Sequence, residues 1–168
     1  LSGLSGIGYG LKSEDRNYIG IYPLKGKVLN VRGMTKDLTE NRELSDLIKI
    51  LGLRLGNKYT AMDDVHKQLR YSKVMIMSDQ DLDGSHIKGL CINLFHSMWP
   101  SLVELDGFLS FMNTPILRAT KGNQILRFYN DGEYAQWKQS LPQQSTKGWN
   151  LKYFKGLGTS TATEFKDY

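Results

Sequence analysis

Three aspartates stand at alternate positions between a short apolar run and a segment with helical apolar spacing. The apolar run is Val74–Met77, and Asp79, Asp81 and Asp83 follow it. Carboxylates this close together repel one another when ionised, and a bound cation relieves that repulsion. Mg²⁺ fits such a loop because it uses one or two protein carboxylates and completes its shell with water and substrate phosphate. The pattern predicts a strand, an acidic loop with a metal or catalytic role, and a helix.

Two other kinds of site contain a similar run of acids. An EF-hand calcium loop also begins D-x-D-x-D-G, but here its twelfth position would be Leu90 instead of Glu, its eighth would be His86, and a strand is predicted before it. A phosphatase-type D-x-D follows a hydrophobic strand, with the first Asp as nucleophile. Ser78 intervenes here, and a third acid would oppose an approaching phosphate. A non-catalytic calcium-binding module and a HAD-like phosphatase domain stay open as alternatives. For Asp83 a simple helix N-cap is also open.

Composition sets broad limits on the chain. Its 168 residues fit one domain, or a domain with an appendage, and a hydrophobic content of 40% allows a core. The net charge of +5 favours an anionic partner. Cys91 is the single cysteine, so no internal disulfide forms, and its place on an apolar helix face predicts a buried thiol. No apolar run approaches the length needed to span a bilayer. Because the chain starts on Leu1 without a targeting signal, we expect it to be part of a longer protein.

Apolar periodicity and turn residues predict the other elements. Helices are expected over 37–52, ending at Gly52, about 63–69, from Gly84 to Pro100, over 133–139, and after Ser160. Extended segments are expected over 19–23, 27–31, 73–78, 112–119, 124–129 and 151–155. Residues 11–18 are predicted to be a loop, and Lys121-Gly122-Asn123 a hairpin turn.

Two loops are candidates for binding phosphate. Lys155-Gly156-Leu157-Gly158-Thr159-Ser160 leads into the last predicted helix, where backbone amides and hydroxyls can hold a phosphate. It lacks the spacing of a P-loop, and a tight turn with a Thr or Ser cap is the plain alternative. Pro23-Leu24-Lys25-Gly26-Lys27 is a turn with two cations. Its plain alternative is a solvated basic turn.

Three segments resemble, in order, motifs of type IIA DNA topoisomerases. Ile76–Leu90 strongly resembles the acidic motif of their TOPRIM region, and Pro23–Val31 and Tyr153–Ser160 resemble two further motifs. Trp99–Leu102 and the segment around Trp137 are more similar to the eukaryotic-type enzymes than to bacterial gyrase. The resemblance covers nearly all of the chain.

The resemblance implies an α/β, Rossmann-like TOPRIM fold: a parallel sheet flanked by helices, with a small C-terminal strand and helix extension. It assigns residues 1–120 to the TOPRIM core and 121–168 to a hairpin and K-G-L-G-T-S extension. The family also carries a catalytic Glu in an E-G-D-S-A motif just before the segment that matches this chain's start, so the core is expected to lack one ligand. The implied function is the Mg²⁺-binding part of the cleavage and religation core of an ATP-dependent double-strand-passage enzyme.

The resemblance also implies the roles of individual residues. Asp79, Asp81 and Asp83 would be catalytic acids and Mg²⁺ ligands, with Asp79 and Asp81 as the principal ligands and Asp83 as a supporting one. DNA contacts are expected from Lys25, Lys27, His86, Lys88, Lys155, Gly156, Gly158, Thr159 and Ser160. Lys25 stands where eukaryotic relatives usually carry Arg. Lysine keeps the positive charge but lacks the guanidinium group that binds phosphate through two parallel hydrogen bonds.

The resemblance places other parts of the reaction elsewhere. ATP would bind another domain, and the attacking tyrosine lies on a separate one, so no nucleophile is expected in this chain and the chain alone is expected to be inactive. The implied partners are double-stranded DNA and a second copy in a homodimer, without a membrane. The expected location is the nucleus, or a cytoplasmic replication site if the source is a large DNA virus.

Overall fold

The computed structural model describes Gly8 and residues 11–24, 30–31 and 41–167. The helices are α1 Arg42–Leu51, α2 Met62–Gln68, α3 Leu82–Met98, α4 Pro100–Glu104, α5 Asp131–Ser140 and α6 Ala162–Asp167. The strands are β1 Val74–Met77, β2 Leu109–Met112, β3 Leu117–Lys121, β4 Gln124–Phe128 and β5 Asn150–Tyr153. Short 3₁₀ turns span Asp15–Asn17, Pro142–Gln144 and Leu157–Thr159.

Strands β1 and β2 form a parallel pair, with Val74 opposite Leu109 and Met77 opposite Met112. Parallel neighbours need a crossover connection, which α3 and α4 provide. The carboxyl ends of both strands therefore lie at one edge of the sheet, where the acidic loop follows β1 and Asn113 follows β2. The expected α/β class, with a parallel sheet and flanking helices, is confirmed.

The helix ends predicted from glycine and proline are confirmed for the helices that flank the parallel strands. Gly52 stops α1 in the left-handed conformation, with φ of 76°, and Asn41 caps its start by accepting the amide of Leu44. Pro100 ends α3 as predicted, and it then begins α4, because a proline at the first helical position loses no hydrogen bond. Trp99 between these helices is 1% exposed, and its indole N–H donates to the Arg54 carbonyl at 2.8 Å.

Two apolar clusters hold the parallel layer. The larger one consists of Leu51, Leu53, Tyr59, Val65, Leu69, Phe95, Trp99, Leu102 and Phe108. The second lies between β1, α1 and α3, and consists of Val31, Leu44, Ile76, Leu90, Cys91 and Leu94. The predicted buried thiol of Cys91 is confirmed, and burial raises its pKa to about 11. The helix that follows the acidic loop is thus anchored to the strand that precedes it.

The C-terminal part is a three-stranded antiparallel sheet in the order β4-β3-β5. The predicted hairpin is confirmed, and Gly122 takes the turn with φ of 56°. One face of the sheet packs against α5 through an apolar cluster of Leu117, Ala119 and Phe128 with Ile116, Leu126, Tyr134, Trp137, Trp149 and Leu151. The predicted helix over 133–139 is confirmed as α5, which Asn130 caps by accepting the amide of Glu133.

Two predicted extended segments are wrong. The segment 112–119 is two strands, because Met112 pairs with β1 while Leu117 pairs with β4 and β5, and Pro115 between them cannot donate to a ladder. Residues 19–23 form no strand, and Ile19 is 48% exposed. The predicted loop 11–18 contains the first 3₁₀ turn. Of the segment 27–31, residues 27–29 lie outside the described residues, as do residues 37–40 at the start of the first predicted helix.

A row of three cations crosses the other face of the antiparallel sheet. Arg118 stands opposite Arg127 on one side and Lys152 on the other. Like charges directly opposite one another destabilise a sheet. Glu164 of α6, 6% exposed, offsets the repulsion by pairing with Arg118 at 2.8 Å and with Lys152 at 2.8 Å. The same carboxylate accepts the Thr161 amide at 2.7 Å. It therefore fastens α6 to the sheet and caps it.

The pKa of Glu164 reflects this environment. Burial raises the pKa of Glu164. Its hydrogen bonds from Lys152 and the Thr161 amide, and the positive charges of Lys152 and Arg118, lower the pKa by more than burial raises it, so the net shift is downward. Because the folded-state pKa lies below the ordinary value of 4.5, the stability contributed by Glu164 is present above that pH and is lost as the pH falls through the folded-state pKa.

We predict that Glu164→Gln lowers the free energy of unfolding by roughly 1–3 kcal/mol at pH 7, because two partly buried cations lose their counter-charge. Urea denaturation across a pH series measures the effect, and the difference from wild type should shrink as the pH falls below about 4.5. The exposed Glu104 of α4 gives the matched control Glu104→Gln, expected to change stability by less than about 0.5 kcal/mol. Equal urea midpoints for the two variants would contradict the assignment.

Candidate metal and nucleic-acid site

The acidic loop is a tight connection from β1 to α3. Ser78, 5% exposed, donates its hydroxyl to the Gly84 carbonyl at 3.1 Å. Asp81 is the N-cap of α3, and its Oδ1 accepts the Gly84 amide at 2.7 Å. The interpretation of Asp83 as the cap is wrong, because an N-cap has extended backbone and accepts an amide further along, whereas Asp83 lies within the first turn and is exposed.

Asp79 is held by the other end of the chain. Its Oδ1 accepts the backbone N–H of Leu157 at 2.7 Å, across 78 positions of sequence. Asp79 is half-buried, and Gly156 lies against its carboxylate. This contact brings the acidic loop and the Lys155–Ser160 loop into one site.

Strand pairing explains why these two loops meet. β2 ends beside β1, and β3 begins only a few residues later, at Leu117. β5 runs antiparallel to β3, so its last residue Tyr153 stands opposite Leu117. Phe154 continues this pairing by donating its amide to the Ile116 carbonyl at 2.9 Å. The residues after β5 therefore emerge next to the carboxyl ends of β1 and β2.

Two glycines allow the backbone to approach Asp79. A Cβ on Gly84 would overlap the Asp79 carbonyl oxygen. A Cβ on Gly156 would lie 2.9 Å from Asp79 Oδ2, and Gly156 has φ of 145°, which side chains rarely adopt. Any larger residue at either position must displace Asp79.

The Lys155–Ser160 loop is a 3₁₀ turn and not the start of a helix. Thr159 donates both its hydroxyl, at 2.7 Å, and its amide, at 3.1 Å, to the Gly156 carbonyl. The following helix α6 is capped separately by Thr161 and Glu164. Phosphate contacts would therefore come from the turn and from the exposed Lys155, because the Thr161–Glu164 pair already closes the helix start.

Two other residues of the predicted DNA set, Lys88 and His86, lie on α3. Lys88 donates to Asn113 Oδ1 at 3.3 Å, so it reaches the residue that follows β2. His86 is exposed on α3. Lys25 and Lys27 lie outside the described residues. Asn113 is a site-edge residue that sequence reasoning missed, since a lone asparagine after a strand forms no recognisable pattern.

Comparison with known proteins decides the family. Residues 4–112 match the Toprim domain, and residues 112–168 match the C-terminal associated domain of TOPRIM. The chain belongs to the Toprim family. The expected resemblance to the TOPRIM region of eukaryotic-type DNA topoisomerase II is confirmed, whereas the division at residue 120 stays a prediction.

The relatives of this Toprim chain are much longer proteins. DNA topoisomerase 2 of Arabidopsis thaliana is 53% identical over 155 residues, covering 90% of this chain and 10% of that protein. DNA topoisomerase 2 of Drosophila melanogaster is 50% identical over 169 residues, covering 100% of this chain and 11% of that protein. The chain thus spans about a tenth of the length of the curated relatives that it matches.

A solved structure matches the Toprim chain in three dimensions. It is the DNA-binding, cleavage and re-ligation domain of Plasmodium falciparum topoisomerase II, with 47% identity and a TM-score of 0.80. The match covers 99% of this chain and 21% of the other.

Within the described ranges, none of the helices combines the length and apolar character needed to cross a membrane.

The donors of the acidic loop are carboxylate oxygens, which fit a hard cation such as Mg²⁺. Asp79 and Asp81 each use Oδ1 to accept a backbone amide. Within the part of the chain that the structure describes, no three His, Cys, Asp or Glu side chains are grouped to hold one ion. Mg²⁺ keeps several waters and needs only one or two protein carboxylates. The metal and DNA roles of individual residues stay predictions.

We predict that Gly84→Ala destabilises the Toprim chain by roughly 1–3 kcal/mol, because the new methyl group overlaps the Asp79 backbone. Gly89 lies on the same helix with nothing within 4 Å of its Cβ position, so Gly89→Ala is a matched control. That control should leave stability equal or raise it by up to about 1 kcal/mol through helix propensity. Urea denaturation measures both, and two equal, small changes would contradict the close contact at Gly84.

Proposed function

We propose that this chain is the Mg²⁺-binding part of the DNA cleavage and religation core of an ATP-dependent type IIA DNA topoisomerase, which passes one duplex through another. The observation that carries the proposal is the hydrogen bond from Leu157 to Asp79, because it joins an acidic loop to a basic, glycine-rich turn. A metal site and a phosphate site side by side suit phosphoryl transfer. Relatives named DNA topoisomerase 2 at about half identity support the same assignment.

The acidic loop supplies the proposed metal ligands. Asp79 and Asp81 are the principal ligands and catalytic acids, and Asp83 supports them from the first turn of α3. A bound Mg²⁺ would stabilise charge on the transferring phosphate and on the leaving ribose oxygen. The protein's own contribution is orientation: the Leu157 amide holds Asp79, and the Gly84 amide holds Asp81.

The proposed DNA contacts are to phosphate. Lys155 and the glycine turn Gly156–Ser160 would meet the backbone on one side of the acidic loop, and Lys88 and His86 on the other. Lys25 and Lys27 complete the proposed set. Such contacts position a duplex without reading its sequence.

Other parts of the reaction belong to the longer protein that we propose. ATP would bind another domain, the attacking tyrosine would come from a separate domain, and the enzyme would act as a homodimer on double-stranded DNA. Its proposed location is the nucleus, or a cytoplasmic replication site if the source is a large DNA virus. Eukaryotic relatives such as DNA topoisomerase 2-beta of Homo sapiens, 49% identical over 162 residues, support the nuclear assignment.

We predict that Asp79→Asn weakens Mg²⁺ binding by roughly tenfold or more, since the metal loses an anionic ligand. Asparagine keeps an oxygen that accepts the Leu157 amide, so the fold should be retained. Isothermal titration calorimetry measures affinity, and plasmid cleavage against Mg²⁺ concentration measures the consequence in the proposed enzyme. Asp106→Asn is the matched control, because Asp106 is exposed and precedes β2 at the opposite edge of the sheet. Wild-type affinity in Asp79→Asn would refute the metal role.

We predict that the chain binds duplex DNA without sequence preference and with steep salt dependence, because counterion release follows phosphate contacts. Lys155→Gln should reduce the slope of log affinity against log salt by about 1. Fluorescence anisotropy with two duplexes of unrelated sequence measures this. Lys73→Gln, just before β1 at the opposite edge, should leave the slope unchanged. A strong preference for one duplex at physiological salt would count against phosphate-only contacts.

A further inference from the structure

We propose that Gly156 and the backbone amide of Leu157 are the positioning group for the Asp79 carboxylate, so that the Lys155–Ser160 turn sets the affinity of the metal site. This inference rests on the metal role of Asp79 in the proposed function. It adds a purpose for Gly156 and Leu157 that the phosphate role of the turn does not provide. A residue acting this way is a positioning residue, because it acts through Asp79.

The geometry defines how Asp79 is held. Leu157 N lies 2.7 Å from Asp79 Oδ1, which is the short distance expected when a carboxylate accepts the bond. The position that a Cβ would take on Gly156 lies 3.0 Å from Asp79 Cγ and 3.1 Å from Oδ1. The amide thus fixes one oxygen, and the bare glycine backbone lies against the plane of the carboxylate. Together they restrict the rotation of the Asp79 carboxylate.

The turn that holds Asp79 is itself internally bonded. Both donors of Thr159 bind the Gly156 carbonyl, and Ser160 donates its amide to the Leu157 carbonyl at 3.3 Å. These bonds brace the turn internally, so a phosphate held by the turn and a metal held by Asp79 would act on the same hydrogen bond. Because binding linkage is reciprocal, each ligand should change the affinity of the other by the same factor.

Substitutions at two neighbouring positions separate positioning from simple stability. Gly156→Ala places a methyl group against the carboxylate. Leu157→Pro removes the N–H donor together with the leucine side chain, and a 3₁₀ turn suits the φ of proline. Leu157→Ala keeps the donor and is its matched control. Gly107→Ala is the control for Gly156, because Gly107 also has positive φ, 82°, but nothing lies within 4 Å of its Cβ position.

The primary measurement is the affinity of the purified protein for Mn²⁺, counted as free ion by electron paramagnetic resonance, with circular dichroism in EDTA as the check on folding. Gly156→Ala and Leu157→Pro should weaken Mn²⁺ binding by roughly 10–100-fold, the range found when a ligand loses its supporting hydrogen bond. Gly107→Ala should bind Mn²⁺ like wild type, although it loses stability, and Leu157→Ala, which keeps the N–H donor, should bind Mn²⁺ more tightly than Leu157→Pro.

Asp79→Asn separates failure of this inference from failure of the proposed function. If Asp79→Asn loses Mn²⁺ while Gly156→Ala and Leu157→Pro keep wild-type affinity, the positioning role is wrong and the metal role stands. If Asp79→Asn itself binds like wild type, the metal role is wrong, and positioning falls with it.

A measurement on the unaltered protein covers the case in which the turn variants do not fold. In a Mg²⁺ titration followed by nuclear magnetic resonance, the Leu157 amide should shift with the midpoint of metal binding, while the Gly107 amide should not. A Leu157 amide that stays unchanged through saturation would overturn the inference.

Discussion

The hydrogen bond between the Leu157 amide and Asp79 is the contact on which the candidate site depends. It exists because two strand pairings and one short connection act together. β2 lies parallel to β1, β3 follows β2 after a short connection, and β5 ends opposite the first residue of β3. A shift of one residue in the β3–β5 pairing would turn the side chains of β5 to the other face and move the loop that follows it. The sheet register therefore decides whether Asp79, the proposed metal ligand, and the Lys155–Ser160 turn, the proposed phosphate contact, meet.

Charge pairing stabilises the C-terminal sheet, whereas close packing against glycine shapes the acidic loop. Arg127, Arg118 and Lys152 stand in one row, and Glu164 is buried against two of them. The basic character of the chain is thus partly structural, since some cations stabilise α6 while exposed ones such as Lys155 remain available to an anion. Net charge alone would have assigned all of them to a partner. Burial and pairing separate the two groups.

Local patterns predicted the elements whose physics is local. The strand before the acids, the long helix after them, its end at Pro100 and the stop at Gly52 all follow from apolar period, proline and glycine. Predictions of strands were wrong where the strand bounds depend on which other strand a segment pairs with. Segment 112–119 divides because its two halves join different sheets, and 19–23 stays unpaired among the described residues. The sequence allowed Asp83 as the N-cap of α3, but the N-cap is Asp81. Alternating acids are equivalent candidates for a cap until the backbone conformation is known.

The sequence by itself determined the family and the chemical character of the site. Three aspartates after an apolar strand indicate a hard cation, and a glycine-rich turn with lysine and hydroxyls indicates phosphate, whatever the rest of the chain does. Only the tertiary structure decided that these loops touch, that Leu157 donates to Asp79, and that Gly84 and Gly156 must lack side chains. The physical reason is distance along the chain: residues 78 positions apart meet only through the summed registers of several strands, which no local pattern encodes.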